Sequence, residues 1–205
     1  MKLAVFGATG GLGRQIVEQA LAAGDTVAAL ARDKSKLPLQ HAGLTVVEGN
    51  VLDAAAVERT LRGADAVLVS LGNTPDNPDM IVSQGTAVII AAMQAAGVRR
   101  LIVISSLGVG DSKDQVPFFF KALIATALRK AFEDKEAQEK LVRGSNLDWT
   151  IIRPGGLTDG PATGQYRAGL ERSIGGQVAR ADVAAFALRQ LTSSEYIGKT
   201  PAIAQ

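Results

Sequence analysis

The sequence predicts a doubly wound α/β protein with a parallel, Rossmann-like sheet, and three observations support this fold class. Short apolar runs alternate with Ala-rich segments of helical periodicity from the first residues onward. The runs are apolar on both faces, which is typical of a parallel sheet covered by helices on both sides. A chain of 205 residues with 47% hydrophobic and 20% charged residues suits one domain with a substantial core. We therefore expect a single domain over residues 1–205, with its substrate pocket at the carboxyl ends of the strands.

Each expected element follows from a local pattern of apolar, helix-forming and turn-forming residues. The expected strands cover residues 2–7, 26–32, 44–50, 65–72 and 100–106, and residues 150–156 end a sixth. The expected helices cover residues 13–24, 53–63, 80–97 and 180–192. Asp53 is predicted to be the N-cap of the second helix, because its carboxylate can accept a hydrogen bond from a first-turn amide.

The composition excludes several classes of protein. A formal net charge of +2 provides no electrostatic reason for a nucleic acid partner. The absence of cysteine excludes disulfides and thiolate metal sites, and a single histidine, His41, makes a zinc site or a histidine-based triad unexpected. No apolar run reaches membrane-spanning length, and the first strand begins too early to leave room for a signal peptide. We therefore expect a cytoplasmic protein without a metal, a nucleic acid partner or a membrane partner.

The most informative stretch is AVFGATGGLGRQIV, residues 4–17, in which Gly7, Gly10 and Gly13 are spaced three apart. It lies between the first expected strand and the first expected helix, where glycine permits unusual dihedral angles and a close backbone approach. The free N–H groups and the positive dipole end of the helix favour a bound pyrophosphate. The spacing is a variant of the dinucleotide fingerprint, and a plain tight turn is the alternative.

The end of the second strand, LARDKSKL at residues 30–37, indicates which dinucleotide binds. An acidic residue here holds the ribose 2′-hydroxyl of NAD, whereas a guanidinium suits the 2′-phosphate of NADP. Arg32 ends the strand, and Lys34 and Lys36 follow it, so NADP(H) is predicted in preference to NAD(H). Asp33 supports the opposite prediction, because NAD(H) is preferred over NADP(H) if its carboxylate points to the ribose.

Six motifs in this order make the chain resemble a known family. They are GATGGLG, ARDKSKL, EGNVLD, VSLGN, VISSLG and IIRPGGLTDGP. The chain resembles the atypical short-chain dehydrogenases/reductases of the NAD(P)-binding, NmrA-like group over nearly its whole length. Within that group it is most similar to the biliverdin IXβ reductase/flavin reductase type. The glycine motif is widespread, whereas its combination with RPGGLTDGP at residues 153–161 is more specific.

The resemblance implies a cofactor site along the carboxyl ends of the strands, where ligands bind in such sheets. The residues that match the pyrophosphate turn of the family are Gly7, Thr9, Gly10, Gly11, Leu12 and Gly13. Those that match its other contacts are Arg32 and Lys36 at the 2′-phosphate, Asn50 and Val51 at the adenine, Leu71 and Gly72 along the ribose, Ser105 and Ser106 beside the nicotinamide, and Pro154, Gly155 and Gly156 in the loop of the nicotinamide pocket. Ser106 is the candidate catalytic residue, since its hydroxyl could donate a hydrogen bond to the substrate or the nicotinamide amide. The polar stretch 72–80 is expected to be a connection near the ribose, or a flap.

The Tyr-x-x-x-Lys pair of typical short-chain dehydrogenases is missing. Tyr166 and Tyr196 are the only tyrosines, and neither is followed by lysine four residues later. The equivalent helix, expected over residues 128–141, is predicted to place Lys130 and Asp134 at the two positions, or Lys135 at the second if the alignment shifts by one residue. Oxidation of an alcohol normally requires this base, so its absence argues against an alcohol dehydrogenase or a sugar epimerase.

The stretch 116–135 is first apolar and then basic, and three interpretations of it stay open. The first is one long helix that packs on the sheet. The second is that Phe118, Phe119 and Phe120 wall the open face over the nicotinamide, where a flat aromatic substrate would stack. The third is a helix that lies on a membrane surface.

Reduction of a flavin or quinone needs no such base, because a hydride passes from the nicotinamide to an electron-poor ring and the proton can come from water. The resemblance therefore implies an NADPH-dependent oxidoreductase with a small planar aromatic acceptor of the flavin, quinone or bilin kind. Gly156 stands near a histidine of the biliverdin reductases, which counts against a bilin. Two alternatives stay open: a non-catalytic NADP-binding redox sensor of the NmrA-like kind, and a nucleotide-sugar epimerase or dehydratase. The oligomeric state is also open, with a homodimer among the candidates.

Overall fold

A sheet of eight strands forms the centre of the protein in a computed structural model that describes residues 1–74 and 80–205. The strands of these residues are β1 (Lys2–Phe6), β2 (Thr26–Ala31), β3 (Leu44–Glu48), β4 (Ala66–Val69), β5 (Arg100–Ile104), β6 (Asp148–Pro154), β7 (Gly156–Thr158), β8 (Arg167–Gly169), β9 (Gln177–Ala179) and β10 (Ala202–Ala204). The sheet has the order β3-β2-β1-β4-β5-β6-β10-β8, and all neighbours are parallel except β10 and β8. β7 and β9 form a separate parallel pair. The strand order reverses between β1 and β4, which opens a crevice at their carboxyl ends.

Helices cover both faces of this sheet. In the part of the chain that the structure describes, they are α1 (Gly11–Ala22), α2 (Ala54–Leu61), α3 (Ile81–Ala96), α4 (Phe118–Ala125), α5 (Arg129–Arg143) and α6 (Arg180–Arg189). Successive residues of β1 point to opposite faces, so Leu3 and Val5 pack in the core under α1 and α6. Ala4 and Phe6 pack in the second core, under α2, α3 and α5. This arrangement confirms the doubly wound α/β class.

Within residues 1–74 and 80–205, none of the helices has the length and apolar character needed to cross a bilayer.

Several expected helix boundaries are present for the expected reason. Asp53 caps α2, because its carboxylate accepts a hydrogen bond from the Ala55 amide at 3.0 Å. α3 ends at Ala96, because the next residue, Gly97, has a left-handed backbone with φ of 70° that glycine adopts at little steric cost. Residues 75–79 of the loop or flap expected over 72–80 lie outside the described residues.

Of the three interpretations of the stretch 116–135, the single long helix is wrong, since two helices occupy it. α4 ends at Ala125 and α5 begins at Arg129. Thr126 leaves the helical conformation, and its hydroxyl donates to the Ala122 carbonyl at 2.9 Å. The break lets α5 pack against α3 while α4, in which no residue is fully buried, stays at the surface.

A buried ion pair joins α5 to β6 near the carboxyl ends of the strands. Arg153 donates through Nε and Nη2 to the two carboxylate oxygens of Glu139, at 2.9 and 2.6 Å, and both side chains are only 4% exposed. Asp111 pairs with the same guanidinium at 2.6 Å, and the Ser105 hydroxyl donates to Glu139 at 2.6 Å. These extra partners provide the hydrogen bonds that a buried ion pair needs to offset its lost hydration.

We expect Arg153→Met to lower the free energy of unfolding by about 3–5 kcal/mol, because it removes both hydrogen bonds to the buried Glu139 carboxylate and leaves it only the more exposed Arg143, at 3.6 Å, as a cation. The matched control is Arg99→Met, which removes a surface ion pair with Asp148 and should cost less than about 1 kcal/mol. Urea unfolding of both variants measures the difference. Equal losses would contradict the structural role of Arg153.

Candidate functional site

A large cleft of about 1200 Å³ runs along the carboxyl ends of the strands. The sequence-predicted residues that line it are Gly7, Thr9, Gly10, Gly11, Leu12, Arg32, Lys36, Asn50, Val51, Leu71, Gly72, Ser105, Ser106, Pro154, Gly155 and Gly156. Gly13 is not among the lining residues. The fold therefore brings together sequence-predicted residues that are up to 149 positions apart in the chain, from Gly7 to Gly156.

The glycine turn leaves no room for side chains between β1 and α1. Gly7 has φ of +89°, and a Cβ on it would overlap the Ser70 carbonyl at the end of β4. A Cβ on Gly13 would overlap the Gly7 carbonyl. Gly13, expected at the pyrophosphate, instead lies inside α1 and allows the first turn of this helix to pack on the end of β1.

The geometry of this turn fits a pyrophosphate. The N-cap of α1, Gly10, has no side chain to cap the helix, and the first turn contains no acidic residue. The first N–H groups of a helix have no partner within it, and here they belong to residues at the cleft, Gly11 and Leu12. The positive end of the helix dipole therefore faces a space that can hold a phosphate anion.

The basic residues after β2 differ in where their side chains lie. Arg32 and Lys36 line the cleft. Lys34 instead pairs with Glu48 at 3.4 Å. The carboxylate of Asp33 accepts hydrogen bonds from the Ser35 amide and hydroxyl at 2.9 and 2.7 Å, and this residue does not line the cleft. The geometry therefore favours a phosphate over a ribose hydroxyl at this end of the cleft.

The wall beside the expected adenine position follows β3. Asn50 accepts a hydrogen bond from the Leu52 amide at 3.0 Å, which shapes the turn that carries Val51 into the cleft. Val51 packs so closely on α3 that a Cβ on Gly85 would come within 2.7 Å of it. Leu71 contacts the same glycine, so both residues are held in place by α3.

Asp134 has a structural role at the beginning of α3. Its carboxylate accepts hydrogen bonds from the Val82 and Ser83 amides at 2.9 and 2.8 Å. It also accepts one from the Asn73 side chain at 3.1 Å, and Asn73 lines the cleft. Asp134 is therefore occupied with capping α3 and with fixing the cleft wall.

The two serines after β5 have different partners. Ser105 donates its hydroxyl to the buried Glu139, so its own hydrogen atom is not available to a ligand. Ser106 is half-buried in the cleft and donates only to the neighbouring Leu107 carbonyl, at 3.1 Å. Of the two, Ser106 is better placed to contact a ligand.

Backbone contacts hold the loop after β6 close to β9. The Gly156 amide donates to the Gly176 carbonyl at 2.9 Å, and a Cβ on Gly155 would overlap the same carbonyl. The Gly155 amide donates to the Ile203 carbonyl at 3.0 Å. Pro154 and the two glycines therefore form a fixed wall at this end of the cleft.

Lys135, rather than Lys130, is the lysine of α5 at the cleft. Lys130 is exposed and does not line it. Lys135 is half-buried there, and its Nζ donates to the Ile104 carbonyl at the end of β5, at 3.3 Å. Burial lowers the pKa of Lys135 to about 8, although the carboxylates of Glu139 and Asp134 oppose this. Of the two lysines considered in the sequence, Lys135 is therefore the one that lies at the cleft.

Aromatic side chains line the cleft near Lys135. Of the three phenylalanines that one interpretation placed there, Phe119 and Phe120 line the cleft, whereas Phe118 does not and is 85% exposed. Phe132, which the sequence did not single out, also lines the cleft and packs edge-on against Phe120 at 6.2 Å. Arg180 was missed as well, although an arginine in the first turn of a helix is unfavourably placed and could have drawn attention.

The sequence also matches a known protein family. A family model described as NAD(P)H-binding matches residues 7–194. The match extends from the glycine turn to beyond α6, and it confirms the resemblance to an NAD(P)-binding group.

Individual proteins similar to the chain are named after different activities. A (4-alkanoyl-5-oxo-2,5-dihydrofuran-3-yl)methyl phosphate reductase of Streptomyces griseus is 34% identical over 97% of the chain, and the photosystem II assembly factor Ycf39 of Synechocystis is 32% identical over 81%. The chain spans only 66% and 48% of the lengths of these two relatives. The solved structure of ChuY, named an anaerobillin reductase of Escherichia coli O157:H7, is 30% identical. The two structures agree with a TM-score of 0.84 over 99% of this chain and 96% of that one.

The ionisation of Lys135 can be measured directly by NMR on protein labelled with ¹³C-lysine. We expect its Cε resonance to titrate near pH 8, because the ammonium loses hydration in the cleft. Loss of that resonance in Lys135→Met assigns it, and Lys130→Met, which should leave it in place, is the control. A midpoint above about pH 10, as for an ordinary lysine, would contradict the burial of this amine.

Proposed function

The chain belongs to the NAD(P)H-binding family, and we propose that it is an NADPH-dependent reductase of a small planar acceptor. The observation that carries this proposal is the continuity of the cleft from Arg32 and Lys36, past the glycine turn, to Phe119 and Lys135. Its volume of about 1200 Å³ exceeds the roughly 300–1000 Å³ of a pocket for one small ligand. We infer that it holds a dinucleotide together with a flat second molecule.

The positions of the charged residues support NADPH rather than NADH. Arg32 and Lys36 line the cleft, whereas Asp33, the residue that would favour NAD, is hydrogen-bonded to Ser35. A 2′-phosphate carries the charge that two cations can neutralise, and a ribose hydroxyl does not.

The residues at the other end of the cleft would orient the acceptor and hold a proton for it. When bound, the cofactor supplies a hydride. Phe119 and Phe120 offer faces on which a flat ring can stack. Reduction by a hydride also consumes one proton, which the Lys135 ammonium, the Ser106 hydroxyl or water can deliver. The similarity to a protein named an anaerobillin reductase keeps a bilin among the acceptors, beside a flavin or a quinone.

The first test is NADPH oxidation with FMN, riboflavin, a simple quinone and a bilin, with NADH in parallel. We expect turnover above the enzyme-free rate, and a KM for the acceptor that rises about three- to tenfold in Phe119→Ser, since one stacking contact is lost. Phe118→Ser is the matched control, because this side chain is also exposed but does not line the cleft. Tight NADPH binding without turnover of any acceptor would refute the reductase and favour the redox sensor.

The choice of cofactor gives a separate prediction. We expect Arg32→Ala to weaken NADPH binding about 10- to 100-fold, because a hydrogen bond to a charged group contributes about 1.5–3 kcal/mol. NADH binding should change little, since NADH lacks the 2′-phosphate. Lys34→Ala removes a nearby cation that pairs with Glu48 and should leave both affinities unchanged. Fluorescence titration with each nucleotide measures the effect, and equal losses for NADPH and NADH would argue against a 2′-phosphate contact.

A further inference from the structure

The first residue of α6, Arg180, lies against the glycine turn. A Cβ on Gly11 would come within 3.2 Å of the Cδ and Nε atoms of Arg180, so this side chain covers the turn directly. Arg180 lines the main cleft and also an adjoining cavity of about 370 Å³, together with Thr9, Gly11 and Arg14. The first turn of a helix is an unfavourable place for a cation, so the position of Arg180 is not explained by α6 itself.

Arg180 forms an ion pair with the carboxylate of a largely exposed residue, Asp159. Nη1 of Arg180 lies 2.7 Å from Oδ1 of Asp159, which directly follows β7 and is 91% exposed. Such a pair contributes little to stability, because water solvates both charges well when they separate. The pair can therefore open at low cost if a stronger anion approaches the guanidinium.

The loop that carries Asp159 is anchored to the same helix as Arg180. Asp182 of α6 is fully buried, and its carboxylate accepts hydrogen bonds from the Thr163 and Gly164 amides at 2.9 and 2.8 Å. It also accepts one from the Thr163 hydroxyl at 2.9 Å. With β7 on one side and these bonds on the other, Asp159 is kept close to Arg180 and to the glycine turn.

We propose that Arg180 exchanges partners when the cofactor binds, leaving Asp159 and pairing with the pyrophosphate at the beginning of α1. This inference rests on the proposed cofactor site. A pyrophosphate brings two negative charges to the turn that Arg180 covers, and a guanidinium binds phosphate oxygens through paired donors. Asp159 brings only one charge, and it competes with the pyrophosphate for the same cation. Arg180 thus raises the affinity for the dinucleotide, and Asp159 lowers it.

The exchange predicts opposite effects of two neighbouring substitutions. In a direct titration with NADPH, we expect Arg180→Gln to weaken binding about tenfold or more and Asp159→Asn to tighten it about three- to tenfold. Arg62→Gln and Glu58→Gln are matched controls, because each removes the same charge from an exposed position on or next to α2 that lines neither cavity. Both controls should stay within twofold of the unchanged protein.

A second probe identifies the part of the cofactor that Arg180 contacts. Adenosine 2′-monophosphate carries the 2′-phosphate but lacks the pyrophosphate, so we expect its affinity to be the same in all variants. In the double variant Arg180→Gln with Asp159→Asn, the second substitution should no longer increase the affinity for NADPH, since Asp159 acts by holding Arg180. A gain that persists in the double variant would show a general charge effect and overturn the exchange.

The outcomes separate this inference from the proposed function. If the unchanged protein does not bind NADPH, the proposed cofactor site itself is refuted. If it binds NADPH and both substitutions leave the affinity within twofold, only the exchange is refuted. Should Arg180→Gln fail to fold, Asp159→Asn alone decides, because unchanged or weaker NADPH binding in that variant overturns the exchange.

Discussion

The rest of the structure depends on the direct backbone contact between the glycine turn and the ends of β1 and β4. Gly7 faces the Ser70 carbonyl and Gly13 faces the Gly7 carbonyl, at distances that leave no space for a Cβ. The first turn of α1 can therefore approach the strand ends, and its amide groups form the floor of the crevice between β1 and β4. A side chain at either glycine would push α1 away from the sheet. The position of α1 relative to β2, and hence of Arg32 relative to the turn, follows from the same contact.

α5 shows how neighbouring polar residues divide between structure and chemistry. Successive residues of a helix point about 100° apart, so Asp134 reaches the beginning of α3 while Lys135 reaches the end of β5. Glu139 lies one turn further on and is buried with Arg153. Ala131 stands four residues before Lys135, at the position of the tyrosine in a Tyr-x-x-x-Lys pair. α5 therefore places the Lys135 amine at the cleft without a tyrosine side chain beside it. This arrangement suits the reduction of an acceptor in a reaction that removes no proton from a hydroxyl group.

The sequence predicts those strands and helices that are long enough to show a periodic spacing of apolar residues. The strands β1 to β6 and the helices α1, α2, α3, α5 and α6 are of this kind. The three-residue strands β7 to β10 depend on pairing between distant segments, and the break at Thr126 depends on how α5 packs, so neither has a local signal. In the site, motif positions located the lining residues, but they could not show that Lys135 faces the cleft and Lys130 does not. The orientation of Asp33 depends on its hydrogen bonds with Ser35, which composition does not reveal.

α4 differs from the other helices because it adds no residue to the two main core clusters, although Phe120 and Ile124 pack, partly buried, against a small third cluster. No residue of α4 is fully buried, yet Phe119 and Phe120 line the end of the cleft where we place the acceptor. Substitutions at exposed positions of this kind usually change the free energy of unfolding only slightly. Mutation can therefore remodel acceptor recognition while the sheet, the glycine turn and the buried ion pair stay intact. In evolutionary terms, α4 is a region where descendants of one dinucleotide-binding ancestor can diverge in substrate without first acquiring compensating mutations in the core.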